Sequence, residues 1–139
     1  MEWRFTGSKP DTYYIQKALT EIEAIIDYTH GLSFEEFMSD SKTIDATMFR
    51  LQQMIEHIKN ISFDFKEEHP DIPWVDIVGF RNRIVHEYGK TDYTTVYEII
   101  TVNIYQLKEL FEKSIWSDSC LYNLHIFYNR NILNFSLLL

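Results

Sequence analysis

Pro73-Trp74-Val75-Asp76-Ile77-Val78-Gly79-Phe80-Arg81-Asn82-Arg83-Ile84-Val85-His86-Glu87-Tyr88-Gly89 is the stretch on which both the fold and the chemistry of this chain turn. It opens with a proline in first-turn position and closes on a glycine suited to end a helix. At about 100° per residue, Trp74, Ile77, Val78, Ile84, Val85 and Tyr88 share one apolar sector, and Arg81 falls near its middle. Asn82 and His86, four apart, stand together at one edge, with Arg83 and Glu87 on the polar side. An arginine on an apolar sector is costly unless a carboxylate, a backbone carbonyl or a ligand phosphate pairs with it. For an isolated arginine a structural ion pair is the simpler account; His86 and Tyr88 nearby give weight to a functional one.

Outward from this helix, the chain reads as further helices. The apolar positions Ile15, Ala18, Leu19, Ile22, Ile25 and Ile26 predict a helix over Thr12–His30, with Asp11 as cap and Gly31 at its end. Glu21, Glu23 and Asp27 read as its solvated acidic face. Ser33 with Glu36 predicts a capping box for a short turn to Met38. Ile44, Met48, Leu51, Ile55 and Ile58 predict a long helix over Thr43–Ile61, with Glu56 and His57 off its stripe. Ser62–Pro73 breaks the pattern, and His69-Pro70-Asp71 reads as a turn. A last helix is expected over Tyr93–Lys113 on Val96, Ile100, Ile104, Leu107 and Leu110. The fold class is therefore all-α: an up-and-down bundle of four to five helices.

Composition agrees. The chain has 139 residues, only four glycines and three prolines, 45% apolar and 16% aromatic residues. That size suits one domain with a sizeable core. Residues 1–113 are expected to form it, and 114–139 to be a C-terminal extension. Past Asp118 that extension has no acidic residue and is rich in Leu, Ile, Phe, Tyr and Asn. It reads either as one more helix covering the bundle or a partner, or as a segment without fixed order. Its asparagines, His125 and Arg130 argue against a membrane span. With a single cysteine, Cys120, no internal disulfide can form. A cytoplasmic setting is expected. The formal charge of −8 argues against a broad nucleic-acid-binding face, so any such chemistry has to rest on a local cationic spot.

Arg81 and His86 supply such a spot. A histidine titrates near neutrality and can take a proton from a ribose 2′-OH or give one to a leaving oxygen. An arginine can hold a phosphate through two bonds and stabilise charge that develops on it. Five residues separate the pair, about 140° around the axis, so a compact site needs a long reach by the arginine or a cleft shared by two copies of the helix. The sequence shows no phosphate-binding glycine loop, no nucleophile elbow and no zinc-ligand spacing.

The run Arg81-Asn82-Arg83-Ile84-Val85-His86-Glu87-Tyr88 resembles the HEPN superfamily, and within it the HepT family of toxin ribonucleases. The motif there is an arginine, four residues, a histidine, one residue and a tyrosine. Ile72-Pro73-Trp74, Gly79-Phe80, Phe37-Met38-Ser39-Asp40, Thr43-Ile44-Asp45-Ala46 and the last helix are similar too, so the likeness covers roughly residues 10 to 113. It implies a dimerising HEPN-like bundle whose paired motifs line one cleft and cleave RNA without metal or other cofactor. Arg81 and His86 would be catalytic, with Asn82, Arg83 and Glu56 binding or orienting substrate. It also implies a minimal nucleotidyltransferase antitoxin that attaches AMP to Tyr88, where added negative charge and bulk would block RNA phosphate. Where such proteins show Gly-Glu-Ala, this chain reads Ile55-Glu56-His57. A non-catalytic HEPN module that binds a nucleotidyltransferase or a nucleotide is the alternative.

Overall fold

A computed structural model describes residues 9–86 and 91–116, with the side chains of Arg81 and residues 83–86 left outside the description. The elements are α1 (Asp11–Thr29), α2 (Phe34–Ser39), α3 (Ser41–Lys59), α4 (Phe63–Glu68), α5 (Trp74–His86) and α6 (Tyr93–Glu98). A π turn, Ile99–Asn103, joins α6 to α7 over residues 104–116. The architecture is an all-α bundle, as the periodicity predicts, and no strand occurs among the described residues.

The seam between α1 and α3 is the most extensively packed of the bundle. Ile15, Ala18, Ile22 and Ile25 of α1 and Leu51, Ile55 and Ile58 of α3 are fully buried. Burial of each such large aliphatic side chain contributes about 1.5–3 kcal/mol relative to exposure. The two helices run antiparallel, because Asp11 at the start of α1 accepts hydrogen bonds from Ser62, just past the end of α3. Both bonds, from the Ser62 backbone N–H and from its hydroxyl, are 2.7 Å long. Asp11 is therefore a cross-link between helices and not the cap of α1, which starts after Pro10 without a side-chain cap.

Glu21 corrects a second expectation. It is 9% exposed and lies at the seam, not on a solvated face. Arg50 of α3 donates to its carboxylate at 3.0 Å and to the Tyr28 hydroxyl at 3.2 Å, and His57 Nε2 stands 3.9 Å away. The bond to Glu21, then that to Tyr28, raises the guanidinium's pKa above its ordinary value. A carboxylate at the seam is tolerated because a charged donor bonds it there.

The short helices close corners. Ser33 and Glu36 form the expected capping box of α2, which ends with Phe37 buried. The Tyr97 hydroxyl of α6 donates to the Leu32 carbonyl at 2.7 Å and fixes α6 beside that corner. Gly31, at φ +76°, takes the left-handed conformation that ends α1 cheaply. The segment expected to be irregular contains α4, capped by Ser62 and holding Phe65 in the core.

The last helix runs through residue 116, with Ser114 buried, and carries the π turn that spacing alone missed. There the Ile104 N–H bonds to the Ile99 carbonyl across one extra residue. The β-branched run Ile99-Ile100-Thr101-Val102 crowds a regular turn, and the Thr101 hydroxyl donates to the Tyr97 carbonyl at 2.6 Å, occupying an acceptor at the register change.

Two outcomes are expected. Thr47 Oγ1 is buried and finds no hydrogen-bond partner among the described residues. Thr47→Val, close in shape, should therefore raise unfolding free energy by about 1 kcal/mol in urea titrations. Asp40 caps α3, and the Thr43 hydroxyl and then the Thr43 N–H hold its carboxyl below the ordinary value. A lowered folded-state pKa gives stability that is present above the unfolded carboxylate's pKa and fades as pH falls through the folded one. Asp40→Asn should consequently flatten the acid limb of the stability profile and leave its slope above neutrality unchanged.

Candidate active site on α5

Helix α5 is held at its start by Trp74. The indole Nε1 donates to the His69 carbonyl at 2.9 Å, and its ring stacks on Phe111 of α7 with centroids 6.0 Å apart. Phe65 of α4 meets it edge-on at 6.4 Å, and Lys66 Nζ lies 5.9 Å from its centroid. Ile72, immediately before the helix, is 2% exposed. One residue thus ties α5 to α4, α7 and the preceding turn, and α3 packs against α5 as well.

Among the described side chains of α5, Ile77 and Phe80 are buried, while Trp74 and Val78 are half-buried. Phe80 had no place in the apolar sector read from the sequence, and its burial widens that sector. At about 100° per residue, backbone position 81 lies between Ile77 and Trp74, inside the arc that runs from Phe80 through Ile77 to Trp74. Asn82 is exposed and lies outside that arc. Position 86 falls within about 40° of Asn82 on the same outer face. Val75, 84% exposed, and Gly79 share this face as well.

The structure therefore brings Asn82 and backbone position 86 together on one side of α5, with position 81 about 140° around the axis from position 86. Tyr88 and the side chains of Arg81, Arg83 and His86 lie outside the described residues. Glu56 is on α3, the neighbour of α5, half-buried and 3.4 Å from Lys59 Nζ. Among the described residues, no three His, Cys, Asp or Glu side chains gather as a metal site requires. No helix there is long and apolar enough to cross a membrane. The Glu21–Arg50–Tyr28 cluster was missed because its charged partners are 29 residues apart in the chain, a separation no helical spacing reveals.

Comparison with known proteins gives a consistent result. The family model described as HepT-like ribonuclease matches residues 18–114. A protein of Thermococcus cleftensis named "Probable ribonuclease HepT" is 35% identical over 100 residues, 72% of this chain and 91% of the relative. Two relatives whose names include the word RNase are similar: one from Caldanaerobacter subterraneus subsp. tengcongensis, 34% identical over 72% of this chain and 93% of its own length, and one from Methanocaldococcus jannaschii, 33% identical over 73% and 88%. No solved structure matches the chain.

The Trp74 anchor can be tested by Trp74→Phe, which keeps an aromatic ring against Phe111 but removes the indole donor. Loss of the indole bond, which leaves the His69 carbonyl with the Ile72 N–H alone, is expected to lower stability by about 1 kcal/mol. Amide exchange should accelerate in α5 before it does in α1 or α3; equal acceleration throughout would remove Trp74 from this role.

Proposed function

This chain belongs to the HepT-like ribonuclease family, and from that premise we propose that it is a metal-independent RNA endonuclease centred on Arg81 and His86. The observation that carries the reading is the family match, which runs through the whole of α5. His86 takes the proton from a ribose 2′-OH, whose oxygen attacks the adjoining phosphorus, and a proton is returned to the departing 5′-oxygen as the phosphodiester bond breaks. Arg81 grips the phosphate and stabilises the charge that builds on its oxygens. Asn82, exposed beside position 86, orients substrate or imidazole; Arg83 and Glu56 bind or orient from the margins.

The outward placement of Asn82 and position 86 favours a cleft with a second wall. A homodimer in which two α5 helices face each other across a twofold axis supplies that wall and doubles the local positive charge. Such doubling matters in a chain of net charge −8, where RNA affinity has to come from a concentrated spot. We place the activity in a cytoplasmic toxin–antitoxin pair, with residues 1–113 as the catalytic domain. A minimal nucleotidyltransferase partner would silence it by adding AMP to Tyr88, bringing negative charge to the phosphate site. The same net acidity favours, as second reading, a non-catalytic module that binds a nucleotidyltransferase or a nucleotide.

Purified chain is expected to cleave single-stranded RNA in the presence of EDTA. His86→Ala should lower the rate by about 10²–10⁴-fold, the usual worth of a positioned acid/base, and Arg81→Ala should be similarly impaired, both with unchanged circular dichroism. Full cleavage by His86→Ala would overturn the catalytic reading. No cleavage by unmodified protein, with tight binding of the nucleotidyltransferase, would favour the second.

A further inference from the structure

Among the described lysines, Lys59, Lys108 and Lys113 each stand 3.0–3.4 Å from a carboxylate, that of Glu56, Glu112 and Glu109 respectively. Lys9 and Lys17 are exposed and have no carboxylate partner among the described residues. They share an aromatic ring instead. Lys9 Nζ lies 5.5 Å from the centroid of Tyr13, and Lys17 Nζ lies 5.7 Å from it. Tyr13 is nine residues before buried Ile22, which is half a turn around the axis, so it stands on the outer side of α1. Its ring is 36% exposed, and Tyr14, packed against the core, meets it edge-on at 5.3 Å and fixes its plane.

The carboxylates nearest to this ring along α1 are both engaged elsewhere: Asp11 accepts from Ser62, and Glu21 accepts from Arg50. Two uncompensated cations about an exposed tyrosine therefore make a local positive spot in a chain of net charge −8. Stability is a weak reason for it, since an exposed cation–π contact contributes only about 0.5–1 kcal/mol. Beyond Lys17 the same side of α1 leads to Tyr28, about 22 Å along the axis and about 60° around it from Tyr13. There Arg50 stands 5.9 Å from the ring centroid and extends the pairing of cation with aromatic.

We propose that Lys9, Tyr13 and Lys17 form a binding surface for single-stranded RNA, apart from the Arg81–His86 site. A base stacks on Tyr13, and the two lysines hold the phosphates on either side of it. Single strands are held without sequence preference in this way, by an aromatic platform flanked by cations that follow the backbone. An acidic protein segment would use the lysines but has no base for the ring, and a duplex keeps its bases within its own stack. The surface is on α1, whereas α5 packs chiefly on α3, so it holds a part of the strand away from the scissile bond. That the strand is RNA rests on the ribonuclease reading above.

The test separates binding from cleavage. The full chain is titrated into a fluorescent single-stranded 2′-O-methyl oligonucleotide, which lacks the hydroxyl that cleavage needs, and anisotropy is read over a range of salt. Tyr13→Leu is expected to weaken binding about tenfold, the usual worth of one stacked base. Lys9→Ala/Lys17→Ala should weaken it too and lower the slope of log affinity against log salt by about 1.4, or about 0.7 for each lost phosphate contact. Lys113→Ala, which removes an exposed lysine paired with Glu109, should bind as the parent does. Absence of binding by the parent chain, or equal binding by all the variants, overturns the proposal. So does loss in the lysine variant with none in Tyr13→Leu, which would assign the surface to an acidic partner. Cleavage of unmodified RNA is scored separately: a chain that binds in this way but does not cleave keeps the surface and loses the ribonuclease reading.

Discussion

The antiparallel seam between α1 and α3 is the constraint from which the rest of this bundle follows. Its interior consists of branched aliphatic side chains at helical spacing, closed over by Phe37 from α2 and Phe111 from α7. Two polar ties set its register. Asp11 holds Ser62 at one end, and Glu21 receives Arg50 nearer the middle. Apolar packing supplies the drive but tolerates sliding, whereas a buried carboxylate that must meet one guanidinium does not. Register along the seam places Met54, Ile55 and Ile58, and hence the surface on which α5 rests.

Helix α5 meets opposed demands. Its inner side has to join the core, and its outer side has to present polar groups to a substrate or partner. Ile77 and Phe80 meet the first, and exposed Asn82 meets the second. Among the described residues, Trp74 secures the helix at its start, and the run that begins at Arg81 lies toward its other end. Anchoring the start on a large aromatic cluster leaves the outer face free of packing duties. That separation lets one short helix be both a core element and a candidate site.

Much of this was legible without coordinates. Periodicity identified α1, α3, α5 and the last helix, and the Ser33–Glu36 box is present as read. Local rules succeed there because caps and stripes are made by residues within a turn or two of each other. The same rules misread Asp11 and Glu21 and left Phe80 out of the apolar sector. Each has its role decided by another element: Ser62 for Asp11, Arg50 for Glu21, and the bundle core for Phe80. Helix α4 and the π turn escaped for a related reason, since both are too short to establish a period.

By itself the sequence determined the helical class, the order of the long elements and the motif Arg81–Tyr88, because composition, spacing and residue identity are properties of the chain alone. Only the tertiary structure decided which way α5 is turned. The direction a helix buries is set by what packs against it, and one phenylalanine, Phe80, widens the face read from spacing. The exposure of Asn82 marks the other side of the helix, with backbone position 86 within about 40° of it.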